Sequence, residues 1–100
     1  MTRILVVLSS DCSDVSEVID ALRQRNDEIG LLLLQDGVYL ADMGCTHGHD
    51  LIRSGLKTYA SEKHVEERGL RSRIDKSVNV VGYPDIIDLM MEKYDKVISL

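Results

Sequence analysis

One hundred residues with 44% hydrophobic side chains fit a single domain, 1–100, that buries about two-thirds of its unfolded chain's surface. With four Tyr and no Phe or Trp, the core has to be built from Leu, Ile, Val and Met. The net charge of -5 works against a sequence-independent grip on nucleic acid, which needs clustered Lys and Arg; any contact with RNA is expected to run through a partner.

Ile4 to Leu8 form an apolar run too short to span a membrane, followed by Ser9-Ser10-Asp11 instead of a small-residue cleavage site. This predicts a first strand, not a signal peptide, and a cytoplasmic chain without membrane attachment. Val15, Val18, Ile19 and Leu22 recur at helical spacing with Asp11 or Ser13 placed to cap, so a first helix should lay this stripe on a sheet and fade at Arg25-Asn26-Asp27. Leu31 to Leu34 follow Ile29 and Gly30. An apolar run without polar alternation suits a strand covered on both faces, and hence a parallel sheet between helices. The run ends in Gln35-Asp36-Gly37-Val38, and turns at the carboxyl ends of such strands are where ligands gather.

A second helical stretch is expected from Val38, broken by Gly44, Gly48 and Gly55 around the insert Cys45-Thr46-His47-Gly48-His49. Leu56 to Ala60 predict a third strand. Ser61 then caps a helix with Glu62, Glu66 and Glu67 in its early turns, ended by Arg68-Gly69. Val78 to Val81 predict a fourth strand, Tyr83-Pro84 opens a helix carrying Ile86, Ile87, Leu89 and Met90, and Lys96 to Leu100 predict a fifth strand. The alternation implies βαβ crossovers and a small three-layer α/β/α domain with a mainly parallel five-stranded sheet. A short, Gly-interrupted second helix should leave one sheet face thinly covered, which predicts an oligomer.

Cys12 and Cys45 are the candidate nucleophiles, and in a cytoplasmic chain both are expected to be reduced. Cys12 sits at the start of the first helix, whose N-terminus favours thiolate, while Asp11 and Asp14 oppose it; the alternative is a partly buried loop cysteine. Cys45 lies in a Gly-flanked, mobile-looking loop with His47 and His49. It is a surface-loop residue, a thiol activated by a nearby imidazolium, or one of three ligands to a metal completed by Asp42, Asp50 or a second subunit. Asp36-Gly37 either faces a ligand or caps the second helix, with Gly37 permitting a turn other residues avoid; no phosphate-binding fingerprint accompanies it. The tyrosines suit the core margin or an interface. Arg68, Arg71, Arg73 and Lys76 form a basic patch that is either solvated or set against an acidic partner.

Leu31-Leu32-Leu33-Leu34-Gln35-Asp36-Gly37-Val38, Lys57-Thr58-Tyr59-Ala60, Glu66-Glu67-Arg68-Gly69-Leu70 and Val81-Gly82-Tyr83-Pro84-Asp85-Ile86-Ile87-Asp88-Leu89 together resemble the DsrH/TusB family of the DsrE/DsrF/DsrH sulfur-relay superfamily, in order and over nearly the whole chain. The resemblance implies a subunit working with paralogous DsrE- and DsrF-like (TusD- and TusC-like) subunits or with itself. It also implies a sulfur-donor protein, persulfide transfer in 2-thiolation of a tRNA wobble uridine or in dissimilatory sulfur metabolism, and no cofactor. In the DsrE/TusD branch the persulfide cysteine follows the third strand, where this chain has Ser61; some DsrH members carry a cysteine on the first helix, near Ala21 here. Neither Cys12 nor Cys45 matches these positions, so the resemblance implies mainly an assembly role, with sulfur carriage by a cysteine of this chain still open. The alternative is a self-associating regulatory module that holds a metal on Cys45, His47 and His49. A small-molecule enzyme has neither an acid/base pair nor a Gly-rich fingerprint to support it.

Overall fold

The leucine run becomes β2 (Glu28–Leu33), the central strand of a five-stranded sheet in a computed structural model that describes residues 2–10, 16–25, 28–53 and 55–100, without the side chains of Ser16, Thr46, His49 and Arg53. Successive side chains of a strand point to opposite faces. Ile29, Leu31 and Leu33 therefore join one core and Leu32 the other, all buried. β1 (Arg3–Leu8) runs parallel to β2 along its full length, from Arg3 opposite Glu28 to Leu8 opposite Leu33. β3 (Lys57–Ser61) flanks β2 on the other side, β4 (Asn79–Val81) lies outside β3, and β5 (Lys96–Ser99) lies outside β1. The order is β4-β3-β2-β1-β5 and every pairing is parallel.

Direction of travel decides which face each helix covers. From β1 to β4 the chain steps across the sheet one way, and the connections α1 (Ser16–Gln24), α2 (Thr46–Arg53) and α3 (Glu62–Glu67) all pack on the face of Ile4, Val6, Leu31 and Leu33 through Ile19, Leu22, Leu51 and Val65. The last connection reverses direction to reach β5. Crossovers of constant hand then demand the opposite face. α4 (Tyr83–Asp88), continued by π-helical turns over Leu89–Lys93, accordingly packs Ile86 and Leu89 against Leu5, Val7 and Leu32. This is the thinly covered face, carried by one helix; the sequence pointed instead to the face of the second helix, which a 3₁₀ helix (Gln35–Ala41) and α2 together fill with Val38, Leu40 and Leu51.

Several local expectations change. Gly48 does not break α2 but lies within it, because a Cβ there would fall 1.7 Å from the Leu40 carbonyl oxygen, and glycine lets the two segments touch. Gly37 serves in the same way: its Cβ would sit 1.9 Å from the Leu8 carbonyl oxygen, while the left-handed backbone of this turn belongs to Gln35, at φ 50. Asp36 does not cap the 3₁₀ helix, whose N-cap is Leu34. Ser61 caps α3 as expected, its hydroxyl accepting the His64 N–H at 3.5 Å. The capping candidates Asp11 and Ser13, together with Val15, Asn26 and Asp27, lie outside the described residues, and Val18 is left exposed on α1. No helix among the described residues is long and apolar enough to cross a membrane.

Tyr94 closes the α4 face of the core. A Cβ at Gly30 would fall 2.2 Å from its hydroxyl, so the glycine in β2 opens the space that the phenol fills. Burial, reinforced by a hydrogen bond with Tyr59, pushes the Tyr94 phenol well above the usual tyrosine range. At the next residue, the backbone N–H of Arg3 donates to Asp95 at 2.9 Å and holds that carboxyl below its ordinary value.

Two outcomes follow for stability. Gly48→Ala should cost about 1–3 kcal/mol in urea unfolding through overpacking against backbone; a change within about 0.5 kcal/mol, the range of an ordinary surface substitution, would mean that α2 does not rest on Leu40. Above about pH 10 the unfolded phenol of Tyr94 gives up its proton while the folded one keeps it, so stability should fall as pH rises and be flat below. Urea midpoints from pH 8 to 11 should show a smaller alkaline loss in Tyr94→Phe than in the parent, and equal slopes would contradict the buried, neutral phenol.

Candidate functional site

A cleft of about 570 Å³ opens where β3 and β4 end. It occupies the one place where neighbouring strands send their following helices to opposite faces, α3 to one and α4 to the other. Such switch points leave a crevice beyond the carboxyl ends of the strands. Leu34, Ile86 and Met90 make its surface apolar, while Ser61, His64, Lys63 and the α3 glutamates supply polar groups. Tyr83 stands at the mouth, 74% exposed.

A polar clamp from α3 fixes the β2 exit turn beside this cleft. The backbone N–H of Gln35 donates to His64 Nδ1 at 2.9 Å, which puts the ring proton of the neutral imidazole on Nε2. Arg68 donates through Nε to Asp36 Oδ1 at 3.0 Å, with its second terminal nitrogen 2.9 Å from the same oxygen. Its guanidinium also reaches the His64 carbonyl at 3.3 Å and the Gln35 side-chain oxygen at 3.4 Å. These bonds hold a non-glycine residue in the left-handed region, which costs about 1–3 kcal/mol and is found where surroundings over-determine it. Ser61 uses its oxygen on the α3 backbone and leaves its hydroxyl proton free to donate.

The three arginines of the basic patch are engaged in ion pairs. Arg68 pairs with Asp36, Arg71 with Glu66 and, at 4.0 Å, with Glu62, and Arg73 Nε with Asp42 Oδ1 at 2.9 Å. The Arg73 pair belongs to a second tie, in which Met43 N–H donates to the Arg73 carbonyl and Asp75 N–H to that of Ala41, anchoring the end of the 3₁₀ helix.

That anchor decides the setting of Cys45. Its N–H donates to the Asp42 carbonyl, and the residue is buried in the main core and disulfide-bonded, not a reduced thiol in a mobile loop. A sulfur in a disulfide is neither a nucleophile nor a metal ligand while that bond lasts. His47 is half-buried on α2, His49 lies on the same helix, and no group of three His, Cys, Asp or Glu among the described residues is placed to hold a metal. Cys12 lies outside the described residues. Ser61, His64 and Tyr83 thus line the cleft, and Cys45 lies in the core. One polar residue inside an acidic helix has no distinguishing period, so the sequence marks His64 only by its place three residues after the Ser61 cap.

Arg68→Ala and Arg68→Lys are both expected to lower stability by about 1–2 kcal/mol, since a lysine cannot span Asp36, Gln35 and His64 at once. A lysine variant with the parent's urea midpoint would show that the clamp does not hold the turn.

Comparison with known proteins agrees with this geometry. A family described as DsrH like protein matches residues 9–97. The TusB protein of Pectobacterium atrosepticum is 35% identical over 82 residues, covering 81% of this chain and 86% of that protein. The TusB protein of Erwinia tasmaniensis is 36% identical over 76 residues, covering 76% and 77%. The ychN protein from E. coli superposes over the whole of both chains with a TM-score of 0.78 at 16% identity, and MTH1491 from Methanobacterium thermoautotrophicum does so with 0.77 at 18%; these two share the fold. By the family match over nearly its full length and the identity to TusB proteins, the chain belongs to the DsrH family.

Proposed function

We propose that the chain is a subunit of a sulfur-relay complex of the kind that serves 2-thiolation of a tRNA wobble uridine, and that its work there is assembly. Its family and its likeness to TusB proteins support the relay role. One observation carries the assembly role: the cleft at the strand ends is lined by Ser61, a buried helix-capping alcohol, and by no cysteine among the described residues. An alcohol cannot carry sulfane sulfur, because the chemistry runs through attack of a thiolate on a sulfur–sulfur bond. The persulfide then belongs to a paralogous DsrE- or DsrF-like subunit, charged by a donor protein, with this chain holding that subunit in place. A metal-binding regulatory module is disfavoured because its first ligand, Cys45, is engaged in a disulfide.

Cys12 and Cys45 are the remaining candidates for sulfur carriage by this chain, and for Cys45 the disulfide has first to be reduced. The co-purified complex, treated with a thiol reductant, then a cysteine desulfurase and cysteine, separates the roles by intact mass. The paralogue is expected to gain about 32 Da, one sulfur atom, and this chain none. A gain on this chain that disappears in Cys12→Ser or Cys45→Ser would make it a carrier.

A further inference from the structure

The last helix carries more apolar surface than its own sheet covers. Ile86 and Leu89 are buried against the sheet, yet Tyr83, Ile87, Met90 and Met91, at spacings i, i+4, i+7 and i+8, remain open, with Met91 77% exposed and Ile87 43%. A solvent-facing helix needs one apolar stripe, and a second one is accounted for by a second burial. Tyr83 and Met90 also line the cleft, so stripe and cleft form one continuous surface. Contiguous apolar surface of this kind marks an interaction site, and methionines suit one because they repack easily.

The charges around this surface select the occupant. Residues 62–67 and 83–93 carry six carboxylates and two lysines. Arg71 pairs with Glu62 and Glu66, and Glu67 lies 3.9 Å from Arg68, whereas Asp85, Asp88 and Glu92 have no cation at ion-pair distance among the described residues. Setting a second copy of this face against the first would oppose carboxylates to carboxylates.

We infer that the α4 stripe and the adjoining cleft are the docking surface for a different subunit, whose contact region is apolar at its centre and bordered by Lys or Arg. An apolar core inside a polar rim is the usual anatomy of such interfaces. The partner's identity as a paralogous relay subunit rests on the function proposed above; the location of the surface rests on the geometry of α4.

The test co-expresses the chain with the DsrE-like and DsrF-like subunits of the same genome and measures complex formation by native mass spectrometry and affinity by titration. Ile87→Glu and Met91→Glu should weaken association about tenfold or more, Asp85→Lys with Asp88→Lys should weaken it and flatten its salt dependence, and Val18→Glu on the opposite face should match the parent. All five positions are exposed, so unchanged urea midpoints separate docking from folding. A complex that forms equally well with the stripe variants overturns the docking surface and leaves the relay role standing. A parent chain that dimerises alone and is dispersed by Met91→Glu also overturns it, by making a second copy the occupant. A parent that binds neither paralogue removes the relay reading and the inference with it.

Discussion

The double burial of β2 governs this molecule. A strand of leucines closed off on both faces needs helices above and below it, and a chain whose crossovers keep one hand can place helices on both faces only by reversing its march across the sheet. The reversal comes after β4, and it opens the crevice between α3 and α4. The core and the candidate site are thus two results of one constraint.

Around that crevice the charged groups are spent mainly on architecture. Arg68 and His64 serve the turn after β2, Arg73 and Asp42 pin the end of the 3₁₀ helix, and Ser61 caps α3. These are positioning contacts, and none supplies a nucleophile. A crevice whose lining among the described residues holds no cysteine fits the assembly role proposed above, as does the apolar face left open on α4.

Much of the architecture was legible beforehand because periodicity reports burial. The β2 run, the Ser61 cap, the Tyr83-Pro84 helix start and the five-strand order of appearance all follow from short-range rules that tertiary context had no reason to override. Glycine was read less well. Spacing suggests a break at Gly48 and a sharp turn at Gly37, but each marks a place where its backbone meets that of another element. Nothing adjacent in sequence distinguishes those uses, since the atom being avoided, a carbonyl oxygen of Leu40 or Leu8, is supplied by another element.

By itself the sequence determined the α/β class, the central leucine strand, the family and the lack of a cysteine after the third strand, because each depends on residue types or on spacings within one element. Only the tertiary structure decided that the arginines neutralise their own neighbours, that Cys45 is buried in a disulfide, that His64 grips the β2 turn, and that α4 has an unburied second stripe. The His64, Arg73 and Arg68 contacts join residues 29, 31 and 32 positions apart, and such meetings are set by the direction in which each crossover returns to the sheet.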